Sequence, residues 1–144
     1  MTITLTQALD RHQISVADDL LADIEVPVLT GPQRQGDILI TPRGPAGKAE
    51  LARFTPVPAE GVAVVRGEAT GNTHLLDALA GVVMWAPNPA SSPTDLTLGI
   101  LHVPAGGVAL LIHTDEHGAN AVGPGTYRLA GKREMADEIR RVAD

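Results

Sequence analysis

The chain is expected to be mainly β: a small barrel or sandwich of short antiparallel strands, with a short N-terminal helix or arm and a short C-terminal helix. Fifteen Gly and eleven Pro in 144 residues supply frequent chain breaks, which suits many short strands joined by turns. The apolar runs between those breaks, such as Val108 to Ile112, are strand-sized. The apolar fraction of 44% contains one Trp, one Tyr and one Phe (Trp85, Tyr127, Phe54), so the core must come from Val, Leu, Ile and Ala.

Residues 1–35 read as an N-terminal arm and residues 36–144 as one β-rich domain, a length sufficient to bury a real core. In the arm, Ser15 and Asp18 resemble a weak capping box, and Val16, Leu20, Leu21 and Ile24 recur at roughly helical spacing. A short helix near 15–23, ending before Pro27, is the expectation. Helices this short need tertiary support, from the chain's own domain, a neighbouring subunit or another partner.

From Gly36 the pattern changes. Asp37 to Thr41 is a strand candidate, stopped by Pro42 and the Gly44-Pro45 turn, and the proline-bearing stretch 42–60 is expected on the surface. Gly61 to Glu68 is a second strand and Val82 to Trp85 a short apolar run, and the proline-rich loop 87–94 reads as an exposed excursion. Leu96–Val103 and Val108–His113, joined by Pro104-Ala105-Gly106-Gly107, form the strongest hairpin signal. Thr126 to Leu129 follows Gly123-Pro124-Gly125 as another strand, and Met135 to Ala143 reads as the C-terminal helix. Leu98 and Ile100 point one way and Leu101 and Val103 the other. One face fills the core, and the other then needs a cover from the N-terminal segment or another molecule.

Composition narrows the function classes. The formal charge of −6 and the scarcity of aromatic residues disfavour nucleic acid as a partner. No stretch is long and apolar enough to span a membrane. No basic start followed by an apolar core suggests a signal peptide, so a virion or the bacterial cytoplasm is the expected location. The absence of cysteine removes disulfides, thiolate zinc sites and cysteine nucleophiles together.

One motif carries chemistry. His113-Thr114-Asp115-Glu116-His117 contains His-x-x-Glu-His, a spacing used by zinc hydrolases when both histidines share a helix face. Here it follows a strand and precedes Gly118-Ala119-Asn120, so it reads as a turn. A loop can still donate ligands, and His74 or His102 would complete a set with His113, Glu116 and His117 around zinc or another divalent metal. The plainer expectation is ordinary loop and strand histidines with no metal and no cofactor, and His12 carries no signal. The three serines stand in no nucleophile elbow, Gly44 to Lys48 lacks the spacing of a phosphate loop, and no glycine fingerprint opens a helix.

Gln35-Gly-Asp-Ile-Leu-Ile, Gly67-Glu-Ala-Thr-Gly-Asn-Thr-His74, Glu116-His-Gly, Gly123-Pro-Gly-Thr-Tyr-Arg, Lys132-Arg-Glu and Arg140-Arg-Val-Ala-Asp144 together form a pattern. Over residues 35–144 the chain resembles a group of small β-rich proteins of actinobacteria, other bacteria and their phages, with no assigned activity. Members often read Gly-His-x-His where this chain has Gly71-Asn72-Thr73-His74. The departure at Asn72 removes one potential ligand. The functional expectation is a non-enzymatic structural or interaction protein, such as a capsid decoration or cement protein, partnered by copies of itself or a capsid-like assembly. The alternatives are a metal-binding module or metal-dependent hydrolase, and a small-ligand barrel.

Overall fold

Strand alternation decides which face of each run must be covered, and here one strand is apolar on both faces. The computed structural model describes residues 3–12, 25–67, 72–88, 96–113 and 118–131. Its strands are β1 (Val28–Leu29), β2 (Gln33–Gln35), β3 (Ile38–Arg43), β4 (Thr55–Pro56), β5 (Val62–Gly67), β6 (Asn72–Ala80), β7 (Met84–Pro87), β8 (Thr97–Val103), β9 (Val108–His113), β10 (Gly118–Val122) and β11 (Gly125–Gly131). Two short helices, α1 (Leu5–Asp10) and α2 (Lys48–Leu51), complete the described elements. The strands form a five-stranded sheet in the order β1-β10-β9-β6-β5 and a six-stranded sheet in the order β2-β3-β11-β8-β7-β4. All pairings are antiparallel except that of β1 with β10. The two sheets make a sandwich, and no barrel closes among the described residues.

The inner core joins the sheets. Ile38 and Ile40 of β3, Leu101 and Val103 of β8, and Tyr127 and Leu129 of β11 pack against Leu76 of β6 and Ala109 and Leu111 of β9. Trp85 lies over Gly99, where a Cβ would stand 2.5 Å from two atoms of the indole ring. Tyr127 donates its hydroxyl hydrogen to Gly123 O at 2.9 Å, which ties β11 to the turn before it, and burial pushes its phenol pKa up.

The expected hairpin of β8 and β9 does not form. Both strands exist, but they lie in different sheets. The Pro104–Gly107 turn, with Gly106 at φ 77° and Gly107 N donating to Pro104 O at 2.9 Å, carries the chain from one layer to the other. The reason is burial: β9 is buried along its whole length, so it takes a central position between β6 and β10.

The second face of β9 has its own core. Val108, Leu110 and Ile112 pack with Ile3, Ala8, Leu9 and Val26, flanked by Leu75 and Leu79 of β6. The N-terminal segment thus covers the five-stranded sheet over β9, one of the two strands whose doubly apolar pattern called for a cover. Leu98 and Ile100 on β8 are half-buried.

The covering helix seen among the described residues is α1; the stretch 15–23, read as a helix from the sequence, lies outside the described residues. Thr4 accepts from Gln7 N at 3.2 Å and Thr4 N donates to Gln7 Oε1 at 2.9 Å, a reciprocal capping box. Val26 N donates to Ile3 O at 2.7 Å, so the two ends of the segment meet. Asp77, fully buried on the arm side of β6, accepts from Arg11 Nε at 2.6 Å. Its hydrogen bond holds the Arg11 guanidinium pKa above the ordinary value, and Arg11 also donates to Ala78 O at 3.2 Å. His12 Nε2 lies 3.1 Å from the same Asp77 oxygen without hydrogen-bond alignment.

Other expectations have mixed fates. Residues 28–35, read with the arm, supply β1 and β2 to the two sheets. The stretch 42–60 is largely exposed but contains α2, β4 and a buried Phe54. Arg43 grips Glu50 through two bonds of 2.6 and 2.8 Å, which with the Gly47 amide lowers the Glu50 carboxyl to about 2. The loop 87–94 is described only at Pro87 and Asn88, and the expected helix 135–143 lies outside the described residues. No helix among the described residues is long and apolar enough to cross a membrane.

Candidate functional site

On β6 the inward positions carry His74, Leu76 and Ala78, and on β9 they carry Ala109, Leu111 and His113. The strands pair with His74 opposite His113. Both side chains are buried, and their rings stack with centroids 4.3 Å apart and planes inclined by 28°. Two of the histidines singled out by the sequence therefore meet at one end of the sandwich.

A chain of amides holds the pair. The β2–β3 hairpin turns through Gly36 and Asp37, with Gly36 at φ 56°, the positive φ that a tight two-residue loop demands. That turn sets Gln35 inside the sandwich. Gln35 Nε2 donates to Leu111 O at 2.6 Å and to Asn120 Oδ1 at 3.0 Å. Its Oε1 is then the acceptor in the 2.9 Å bond with His74 Nδ1. His74 consequently carries its proton on Nδ1, and Nε2 carries the lone pair. Asn120 Nδ2 donates onward to Gln33 Oε1 at 3.2 Å, and Gln33 Nε2 to Ala121 O at 3.1 Å. The network ties β2 of one sheet to β9 and β10 of the other.

The electrostatics favour neutral imidazole at His74. Burial first and the His113 ring beside it second lower its pKa, the Asp37 carboxylate opposes both, and the outcome is about 4. In the unfolded chain the same group protonates near 6.5. Between those values the unfolded state binds more protons, so stability is intact above pH 6.5 and falls as pH drops toward 4. The expected loss is about 2 kcal/mol after allowance for solvent screening. Urea titrations of wild type and His74→Gln at pH 7.5 and 4.5 measure it: the pH dependence should shrink in the variant, and equal dependence in both would assign it to other groups.

The remaining predicted residues fare differently. Glu116 and His117 lie outside the described residues. His102 is elsewhere, half-buried on β8 in the six-stranded sheet, with Nδ1 3.2 Å from Thr126 Oγ1 and its ring edge-on to Phe54 at 6.4 Å. Among the described residues no group of three or more His, Asp or Glu side chains is placed to hold a metal. Sequence reasoning missed Gln35 and Asn120. The signal for Gln35 was the Gly-Asp pair after it, which marks a tight hairpin whose flanking residues face each other across the strands.

A family model described as a domain of unknown function, DUF8820, matches residues 34–132. No curated protein and no solved structure matches the chain. The matched stretch runs from β2 through β11, so it contains the His74–Gln35–Asn120 network and the face on which Asp77 lies. The α1 segment covering that face lies before it.

Proposed function

The chain belongs to this family of unknown function, and on that premise we propose that it is a non-enzymatic structural and interaction module whose copies associate through a sheet edge, as subunits of a capsid-like assembly. The supporting observation is the edge of β5, beside which no further strand lies among the described residues. It closes the five-stranded sheet and bonds only to β6 among the described residues. The other sheet edges are blunted, as soluble β-proteins commonly blunt them. β1 and β4 have two residues each, β4 includes Pro56, and β2 has three residues with Arg34 at its centre.

β5 is six residues long and reads Val-Ala-Val-Val-Arg-Gly. A register shift between Ala63 and Val65 bulges its pairing with β6, and Arg66 puts one charged residue in its sequence. A row of unpaired backbone groups on such a strand is a template for a second strand. A capsid decoration or cement subunit is the concrete form of this reading, because a small sandwich repeated over a shell must join its neighbours through its own surface.

Ala63 pairs opposite Leu75, on the side away from the inner core, so a lysine there adds charge beside the edge and spares the inner core between the sheets. Sedimentation velocity of wild type and Ala63→Lys tests the reading. A defined oligomer that the substitution shifts to monomer is expected, and a wild-type monomer up to about millimolar concentration, where even weak association becomes visible, would refute it.

A further inference from the structure

We propose that two copies of this chain pair β5 against β5, antiparallel and about a two-fold axis, so that their five-stranded sheets merge into one continuous sheet and growth through this edge stops at two. The inference rests on the assembly reading above and goes beyond it by naming the partner strand, the copy number and the symmetry.

The partner follows from what the edges can offer. β5 presents six consecutive residues, and no strand lies beyond them among the described residues. A strand of that length gains most from a partner of equal length, because each further residue extends the ladder. β1 and β4 offer two residues each, and Pro56 of β4 has no amide hydrogen to give. β2 offers three residues, and its side of the sandwich is already bridged to the other sheet. There Gln35 Nε2 donates to Leu111 O at 2.6 Å and Gln33 Nε2 to Ala121 O at 3.1 Å. Among these edges, the match for β5 is β5 of a second copy.

The symmetry follows from the ladder. Identical surfaces that meet in a closed pair are related by a two-fold axis. An antiparallel ladder maps onto itself under that rotation, whereas the slanted bonds of a parallel ladder do not. The pairing of β5 with β5 is therefore antiparallel, with the axis normal to the sheet. Among the described residues each copy has one long edge of this kind. Pairing consumes it, so no third copy adds to the same ladder. The rotation also keeps like faces on one side. The outer faces of β9, covered by Ala8 and Leu9 of α1, come to lie together on one side of the merged sheet. The two six-stranded sheets lie together on the other.

The chain has no cysteine, so single cysteines take spin labels without background. Full-length Glu60→Cys and Arg66→Cys place a label near each end of β5, and pulsed electron spin resonance reads the distance between the labels of the two copies. Native mass spectrometry of the unlabelled wild type gives the copy number, and two chains are expected. At about 3.3 Å per residue, antiparallel pairing makes the two distances sum to about 40 Å, the longer being about 20 Å or more. Parallel pairing holds both near the strand spacing of about 5 Å. Nuclear Overhauser contacts between β5 strands in a mixture of differently isotope-labelled wild-type chains repeat the test without a substitution. A monomer would overturn both this inference and the assembly reading. Three or more copies, two short distances, or a sum far above about 40 Å would overturn the β5 pair while leaving association of copies in place.

Discussion

Deleting residues 1–12 is expected to lower the free energy of unfolding by about 3 kcal/mol and to produce a protein that binds a hydrophobic dye and aggregates. The deletion removes Ile3, Ala8 and Leu9, and it uncovers Val108, Leu110 and Ile112 along β9. A buried Leu or Ile contributes about 1.5–3 kcal/mol, and the backbone and side-chain entropy of the ordered segment offsets part of the total. The lost ion pair adds little, because without the arm the Asp77 carboxylate regains water and Arg11 was already 37% exposed. Leu9→Ala should reproduce most of the effect, at about 2–3 kcal/mol, without shortening the chain. Urea denaturation with dye fluorescence measures both. Unchanged stability in the deletion would mean that the segment does not cover β9 in solution.

Gly99→Ala is expected to cost about 2–3 kcal/mol even though it adds one methyl group. At this position a Cβ would lie 2.5 Å from Trp85 Cζ2 and Cη2 and 2.6 Å from Ala86 O. The indole is itself buried, and the carbonyl belongs to β7, paired with β8 through Ala86 and Ile100. Neither neighbour can withdraw without moving a strand, and forced overpacking of a dense core costs about 1–3 kcal/mol. Thermal melting monitored by tryptophan fluorescence tests this directly, since Trp85 is the only tryptophan in the chain. The expected result is a lowered midpoint together with a changed native emission spectrum. A wild-type midpoint would show that the ring has another place to go.

What the sequence made legible was local, and what it concealed was pairing. β9 stood out because Val108 to His113 is an unbroken apolar run, and a strand buried on both faces needs no alternation. Its partnership with β8 was misread because Pro-Ala-Gly-Gly serves equally well as a hairpin loop and as a crossing between layers. Only the demand for cover on both faces of β9 separates the two. β6 went unread because Leu75-Leu76-Asp77-Ala78-Leu79-Ala80 shows no period of two. Its charged residue makes sense only beside Arg11, 66 positions earlier.

α1 was legible in principle, since Thr4 and Gln7 are spaced as a capping box, but the apolar spacing at residues 16–24 is the longer helical pattern in the arm. The histidine site was half legible. His113 and His74 were both candidates, yet nothing local says that they share a register position on adjacent strands. Gln35 and Asn120 become visible only once the β2–β3 turn and the β9–β10 pairing are known.

Amide hydrogen exchange across a dilution series tests the proposed assembly most directly, because it locates the contact as well as detecting it. The edge of β5 should be protected at high concentration, with amides in Val62–Gly67 slowing together as copies associate and speeding up on dilution, while the central strand β9 stays protected throughout. Exchange at β5 that remains fast at every concentration, in a chain whose β9 amides are fully protected, would contradict association through this edge.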